Sequence, residues 1–253
     1  RKRRLPALSR TAAMLWLCHS LSTTTSSDAA LNVAVITGTT RTSGPPRPIV
    51  GPRVASFITK ALERRGNQVT VVDPRHVDFG LLEKPYFAYA KSQVPEGSMR
   101  ELYDIFEQAD AYVTVTPEYN HAPSPALLNI LNHYGSSTFG FKPSAIVSYS
   151  QGQWGGTRAA QALRPILSEL GCIPVSAMIH IPMAHQVLKE DGTIVVEEED
   201  DEDEEERWNG YVDRCFSQLE WWGNAAKQHR AHVDPYEQSP AFTKLPAQRN
   251  APN

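Results

Sequence analysis

Short apolar runs rich in β-branched residues alternate along this chain with segments in which apolar residues recur at helical spacing. Runs such as Asn32 to Thr37 and Ala111 to Thr116 are typical of strands that are buried on both faces. Five such strands, each followed by a helix, give the order βαβαβαβαβα. Each strand–helix–strand unit crosses back over the sheet with a right-handed turn, so this order predicts a parallel sheet with helices on both faces.

The predicted fold class is therefore α/β, a flavodoxin-like doubly wound five-stranded parallel sheet of order 2-1-3-4-5. Ligands of such sheets bind beyond the carboxyl ends of the strands, beside the point where the strand order reverses. This places any site in the loops after strands 1, 3 and 4. The predicted strands span 32–37, 68–72, 111–116, 144–149 and 173–179, and the helices 50–62, 99–109, 125–134, 157–170 and 208–227. Ser98 and Ser124 are the expected N-caps of the second and third helices, and Pro117 is expected to end the third strand.

The segments outside this alternation differ from it in composition. Residues 1–30 begin with four basic residues, continue with a short apolar stretch and end rich in Ser and Thr. This order suits either a disordered tail or a targeting segment, so a cytoplasmic or an organellar location is expected. Residues 31–230 are predicted to form the folded domain, with a solvated acidic insertion at 197–206. Residues 231–253, rich in proline, are predicted to be a disordered tail.

Charge and cysteine content exclude several classes of function. The net charge is −3, but the acidic run at 197–206 contributes ten negative charges, and without it the chain carries +7. Much of that surplus lies in the first thirty residues, and no basic stripe interleaved with aromatics occurs, so no nucleic-acid partner is expected. The sequence contains no run of about 18 apolar residues, so no membrane-spanning helix is expected. The cysteines Cys18, Cys172 and Cys215 are too far apart to predict a metal cluster.

The loop after strand 1 contains the parts of a phosphate site. It runs from Thr37 to Arg47 with hydroxyls, glycines and basic side chains, and a helix N-terminus follows it. Such a helix end offers unpaired N–H donors and partial positive charge to an anion. Neither a Walker A loop nor a GxGxxG sequence is present, so a P-loop and a dinucleotide-binding Rossmann site are disfavoured. A solvated polar turn is the alternative.

The other two loops are also rich in residues that shape a binding site. The loop after strand 3 carries the sequence Pro-Glu-Tyr-Asn at 117–120, which could border a flat heterocycle, although a rigid connection is the alternative. The loop after strand 4, at 148–158, contains three glycines that allow backbone to approach a ligand closely.

Together the three loops resemble those of the NADPH-dependent FMN reductase family of flavodoxin-like flavoproteins. The family's Gly-Ser/Thr-x-Arg loop is matched at 38–41, and its Pro-Glu-Tyr-Asn sequence occurs unchanged at 117–120. Its Gly-Gly-x-Arg-Ala sequence occurs at 155–159, and the resemblance extends over about residues 31–228. One departure is that the stretch from Arg41 to Arg47 is longer than usual and contains two prolines.

The resemblance implies a bound FMN and the residues that hold it. Thr39 and Arg41, with Arg47, would bind the phosphate, residues 117–120 would border the isoalloxazine ring, and the loop at 150–156 would flank it. The full set of predicted cofactor-binding residues is Thr37, Thr39, Thr40, Arg41, Arg47, Pro117, Glu118, Tyr119, Asn120, Ser150, Gln151, Gly152, Gly155 and Gly156.

The implied activity is that of an NAD(P)H oxidoreductase. NADPH or NADH would reduce FMN and leave, and a quinone, free flavin, metal ion or dye would take the electrons in a ping-pong cycle. The cofactor carries this chemistry, so no catalytic side chain and no metal ligand is predicted. The resemblance also implies a homodimer or homotetramer.

Two other functions are compatible with the residues. A non-enzymatic FMN-binding electron carrier or redox sensor would share the same site, and rapid bleaching by NADPH separates it from an enzyme. A serine hydrolase could use Ser150 as its nucleophile, with His180, His185 and Asp191 downstream. The sequence around Ser150 lacks the first glycine of the GxSxG elbow, which disfavours a hydrolase.

Overall fold

A parallel sheet forms the centre of the computed structural model, which describes residues 30–44, 48–78, 80–196 and 202–238. The strands run in the order β2-β1-β3-β5-β6. Two short strands lie off this path: β7 pairs with β5, as β6 does, and β4 pairs with β3. All contacts along the main path are parallel. The strands are β1 (Asn32–Thr37), β2 (Gln68–Val72), β3 (Ala111–Tyr119), β4 (Ala122–Pro123), β5 (Pro143–Tyr149), β6 (Ile173–Pro174) and β7 (Ile179–Ile181).

Helices cover both faces of this sheet. The helices are α1 (Gly51–Arg64), α2 (Ser98–Gln108), α3 (Pro125–His133), α4 (Ser136–Phe139), α5 (Thr157–Glu169), α6 (Ala184–Val187) and α7 (Glu202–Arg230). One core lies between the sheet and α1 with α7, and includes Phe57 and Phe216. The other lies under α2, α3 and α5, and includes Phe106 and Leu163. This arrangement confirms the predicted doubly wound fold.

The predicted fifth strand is divided into two short segments. β6 ends at Pro174 and β7 begins at Ile179, and both pair in parallel with β5. Between these two segments, side chains bond several backbone groups that a continuous strand would pair with a neighbouring strand. The Arg164 guanidinium donates to the carbonyls of Pro174, Val175 and Ser176, and the amide oxygen of Gln218 accepts from the Ala177 N–H. The prediction of one continuous strand at 173–179 is wrong for that reason.

The third strand continues through the proline that was expected to end it. Pro117 stays in register with Tyr149 of β5, since a proline removes only one backbone donor. The strand then turns back on itself, because Asn120 and His121 adopt left-handed φ angles of 51° and 66°. This is the two-residue connection that joins antiparallel strands tightly, and it links β3 to β4.

Two helix starts differ from the sequence prediction. Gly97, not Ser98, is the N-cap of α2, and the Ser98 hydroxyl instead accepts from the Asp78 N–H at 3.0 Å. α7 begins at Glu202, six residues before the expected start, so the second half of the acidic run is helical. Carboxylates in the first turns are stabilised by the helix dipole, which explains the extension. The Ser124 cap of α3 is confirmed by its bond from the Leu127 N–H.

Several predicted segments fall outside the described residues. These are 1–29, Arg47, the acidic residues 197–201 and the segment 239–253. The domain boundaries drawn from composition therefore stay predictions. Within the described ranges, no helix is both long and apolar enough to cross a membrane.

Candidate functional site

A cleft of about 220 Å³ opens at the carboxyl ends of β1, β3 and β5. This is the edge at which the strand order reverses and where ligands of doubly wound sheets bind. The residues that line it are Thr39, Arg41, Pro48, Ile49, Val50, Gly51, Pro117, Glu118, Tyr119, Tyr149, Ser150 and Gln151.

One end of the cleft has the donors of an anion site. Thr39 and Arg41 lie there beside Gly51, the first residue of α1. Val50, the N-cap of α1, provides no side-chain cap, so the first-turn N–H groups are left to other acceptors. The Arg41 N–H donates to Thr39 Oγ1 at 3.2 Å, and its guanidinium donates to the Gly44 carbonyl at 3.1 Å.

Gly51 is required by the tight packing of this end. A Cβ at this position would overlap the Thr39 side chain and lie 2.8 Å from the Tyr149 phenol oxygen. The helix N-terminus can therefore reach the loop after β1 only because residue 51 has no side chain.

The β3 side of the cleft presents the backbone of residues 117–119. The Glu118 side chain is occupied elsewhere: Oε2 accepts from the N–H groups of Arg158 and Ala159, and Oε1 lies 3.3 Å from the Arg158 guanidinium. Glu118 thus caps the N-terminus of α5 from a neighbouring strand. Its carboxylate is neutralised there and does not place an unpaired negative charge in the cleft.

A hydrogen bond joins the two loops at the mouth of the cleft. The Gln151 side chain donates from Nε2 to the Pro48 carbonyl at 2.8 Å. Ser150 and Gln151 therefore lie opposite Pro48 and Ile49, so the mouth is narrowed between the loop after β5 and the start of α1.

Tyr149, at the end of β5, is a cleft residue that the sequence prediction missed. Its side chain is 6% exposed, and burial, with the nearby Tyr119, raises the pKa of its phenol. A hydrogen bond with the Thr39 side chain opposes that rise in the pKa. The prediction placed Tyr149 at the junction of the fourth strand and the loop at 148–158 but not among the cofactor-binding residues, because nothing in the sequence separates a core tyrosine from one at a ligand.

The structure brings together about half of the predicted cofactor-binding residues. Thr39, Arg41, Pro117, Glu118, Tyr119, Ser150 and Gln151 line the cleft, whereas Thr37, Thr40, Asn120, Gly152, Gly155 and Gly156 are not among its lining residues. Arg47 lies outside the described residues. Pro48, Ile49, Val50 and Gly51 were missed, although a helix N-terminus after the loop was the signal that pointed to them.

The residues outside the lining have structural contacts of their own. The Thr37 hydroxyl donates to the Val72 carbonyl, and Asn120 forms the turn between β3 and β4. Gly155 and Gly156 have φ angles of 60° and 76°, and a Cβ on either would lie within about 3 Å of neighbouring backbone. These glycines allow the loop to pack on β5 and β7. The sequence alone could not distinguish this role from the close approach of backbone to a ligand.

The geometry around Ser150 does not support a hydrolase. Its hydroxyl donates to the Gly152 carbonyl, whereas His180 bonds Ser148 through Nδ1 at 2.8 Å. Ser148 is fully buried and donates its proton to the Gly155 carbonyl, so its oxygen accepts the hydrogen bond from His180 Nδ1. Burial lowers the pKa of His180.

The residues present fit a phosphorylated flavin. An anion site with hydroxyl, guanidinium and helix-end donors lies at one end of the cleft, where Gly51 leaves room for the Thr39 side chain and the Tyr149 phenol to pack against the helix start. Proline, isoleucine and tyrosine side chains supply the apolar surface that a planar ring needs. No group of three or more His, Cys, Asp or Glu side chains suited to a metal occurs in the described part of the chain.

Comparison with known proteins identifies the family. Residues 31–186, more than half of the chain, match the model of the NADPH-dependent FMN reductase family. The chain belongs to this family. It is therefore an NAD(P)H-dependent oxidoreductase whose cofactor is FMN, as the loop sequences predicted.

Two curated relatives resemble parts of the chain. An NADPH azoreductase from Bacillus sp. (strain OY1-2) is 30% identical over 128 residues, which are 45% of this chain and 72% of the relative. A quinone reductase from Pseudomonas putida is 35% identical over 81 residues, which are 30% of this chain and 44% of the relative. The chain thus spans less than half of the second relative.

A solved structure supports the fold. The flavoenzyme NAD(P)H:(acceptor) oxidoreductase FerB from Paracoccus denitrificans superposes with a TM-score of 0.59 at 23% identity. The match covers 76% of this chain and 98% of FerB. This similarity confirms the flavodoxin-like architecture.

Proposed function

We propose that the cleft holds FMN with its phosphate against Thr39, Arg41 and the N-terminus of α1. The isoalloxazine ring would lie between the backbone of residues 117–119 and the loop at 150–151. The observation that carries this proposal is the convergence of the three loops, at one edge of the sheet, on a single cleft with donors at one end. Asn120, Gly152, Gly155 and Gly156 would then shape the loops without touching the cofactor.

The protein's contribution to the reaction would be binding and orientation. When bound, FMN accepts a hydride from NAD(P)H and passes electrons to the second substrate. Backbone N–H groups and the Arg41 cation would favour the negative charge of a phosphorylated and reduced cofactor. The capped carboxylate of Glu118 adds little opposing charge.

We propose that the second substrate is a flat, electron-poor small molecule such as a quinone, an azo compound or free flavin. The hydrogen bond from Gln151 to Pro48 connects the two loops that flank the mouth of the cleft and narrows it. A narrow mouth suits a flat molecule that stacks on the flavin ring. The names of the relatives, an NADPH azoreductase and a quinone reductase, support this class of acceptor.

We also propose that the protein acts as a homodimer or homotetramer, without a nucleic-acid partner, in the cytoplasm or an organelle. Large apolar side chains are exposed on two parts of the surface, Leu81 and Phe87 on one and Trp221 with Trp222 on another, which supports self-association. Light scattering of the purified protein should give a mass of two or four chains.

The absorbance spectrum of the protein tests the central proposal. After loading with FMN and desalting, stoichiometric flavin bands should remain, and anaerobic NADPH or NADH should bleach them rapidly. Arg41→Ala should retain less flavin, whereas Arg75→Ala, which changes an arginine that pairs with Asp73 outside the cleft, should retain as much as wild type. Retained flavin that neither nucleotide bleaches would indicate a carrier or sensor. Wild-type protein that retains no flavin would refute the assigned site.

A further inference from the structure

The Tyr149 phenol is a buried polar group that faces the cleft and matches none of the loop sequences shared with the family. It is 94% buried and lies on β5, so its position is fixed by the central sheet and not by a loop. Burial raises the pKa of the phenol above its ordinary value, so it remains a hydrogen-bond donor at every physiological pH. A buried donor of this kind is costly unless it has an acceptor.

A chain of hydroxyl groups leads to this phenol. The Arg41 N–H donates to Thr39 Oγ1 at 3.2 Å, which leaves the Thr39 proton to be donated onward. The Thr39 side chain and the phenol oxygen meet beside Gly51, where both lie within 3.3 Å of the position that a Cβ would take, and Thr39 and Tyr149 hydrogen-bond each other. Apart from Thr39, no partner of this phenol is found among the residues that the structure describes, so when Thr39 donates to the phenol, the phenol proton is left for an acceptor in the cleft.

The phenol oxygen lies against the start of α1. A Cβ built on Gly51 would be only 2.8 Å from this oxygen. The uncapped N–H groups of the first turn, the Thr39 hydroxyl and the phenol therefore border the same end of the cleft. Since the single Thr39 proton goes to the phenol in this arrangement, an acceptor with several oxygens in a tetrahedral arrangement can bond the N–H groups and the phenol together, whereas a single hydroxyl cannot.

We propose that Tyr149 donates its phenol hydrogen bond to the flavin phosphate and thereby makes the site prefer a flavin with a 5′-phosphate over riboflavin. This inference rests on the proposed FMN site. Tyr149 acts as a positioning residue for the cofactor and takes no part in electron transfer. Riboflavin has no phosphate to accept the hydrogen bond from the phenol. Removal of the Tyr149 hydroxyl should therefore leave the affinity for riboflavin unchanged.

The test compares two tyrosine-to-phenylalanine variants. Tyr149→Phe removes the phenol of the cleft, and Tyr134→Phe removes another buried phenol, whose oxygen donates to the Met99 carbonyl 2.9 Å away in the opposite core. Dissociation constants for FMN and for riboflavin are measured by quenching of flavin fluorescence. Tyr149→Phe should raise the dissociation constant for FMN by about 10- to 100-fold, which is the range for a lost hydrogen bond to a charged group. The dissociation constant for riboflavin should stay within about twofold of the wild-type value. Tyr134→Phe should change neither constant.

Each other outcome overturns a stated part of the argument. If Tyr149→Phe leaves the ratio of the two constants as in wild type, the inference is wrong while the FMN site stands. If wild-type protein binds neither flavin, the proposed function itself fails. Circular dichroism checks folding, and Tyr149→Met, which keeps bulk without a donor, replaces Tyr149→Phe if that variant does not fold.

Discussion

Lys142 gives the sharpest quantitative prediction about the fold. Its side chain is 7% exposed, and its ammonium donates to the carbonyls of Phe106 and Glu107 at 2.7 and 2.9 Å. These carbonyls belong to the last turn of α2, so Lys142 serves as a cap from another part of the chain. Burial lowers the pKa of this lysine from 10.5 to about 8.

The sign of the effect on stability follows from proton binding. Between about pH 8 and 10.5 the unfolded chain holds the Lys142 proton while the folded protein has lost it, so stability rises with pH in this window. The full difference of about 2.5 pKa units corresponds to about 3 kcal/mol. Between pH 7 and 9.5, the part realised is about 2 kcal/mol.

The experiment compares wild type with Lys142→Met by urea unfolding at pH 7 and 9.5, monitored by tryptophan fluorescence. Other groups also titrate in this range, since burial raises the pKa of Cys172 and of Cys215 to about 12, but both thiols remain in both proteins. Relative to the variant, wild type should therefore gain about 2 kcal/mol at the higher pH. A stability difference that is the same at both pH values would refute the reasoning.

Three further predictions concern the site and its supports. Gly51→Ala should fold but lose FMN retention after desalting, because the new Cβ would overlap Thr39 at the anion end. Glu118→Gln should lower the free energy of unfolding by about 1–2 kcal/mol in a urea titration, because it weakens the cap on α5. Burial lowers the pKa of His180, so it contributes stability at neutral pH that is lost as the pH falls below about 6.5; His180→Gln should flatten this loss in unfolding measured between pH 7 and 5.

Controls make these three results interpretable. Gly210→Ala changes a glycine of α7 that has open space around it and lies outside the cleft lining, so it should retain FMN as wild type does. An unchanged FMN retention in Gly51→Ala would contradict the assigned anion end. Equal stability of Glu118→Gln and wild type would show that Glu118 does not support α5. A His180→Gln protein as acid-sensitive as wild type would place that sensitivity in other groups.

The sequence predicted the sheet and the edge at which the cleft lies because both depend on local patterns. Buried parallel strands require continuous apolar runs, and the loops that follow them converge whatever their side chains do. Thr39 and Arg41 were found in this way. Ser98 and Pro117 were misjudged because local propensity was overridden by neighbours, the Asp78 N–H in one case and the β3–β4 hairpin in the other.

The remaining part of the cleft depends on distances between segments far apart in the chain. Tyr149 and Gly51 are 98 positions apart, and only the packed structure brings the phenol to the helix start. The role of Gly155 was equally hidden, because a glycine that admits a ligand and one that admits a neighbouring strand look identical in sequence.

The last helix carries a consequence for how this chain is made. Val212, Phe216 and Leu219 of α7 fill the core on the face shared with α1, and Lys227 bonds both the Asp110 carboxylate and the Ala30 carbonyl at the start of β1. During synthesis the nascent chain extends from β1 to β7 before any of these α7 residues has left the ribosome. The part of this sheet face that α7 covers must stay exposed beside α1, or held by a chaperone, until nearly the whole domain has emerged. Premature termination before residue 212 should therefore give an insoluble product even though every cleft residue is present.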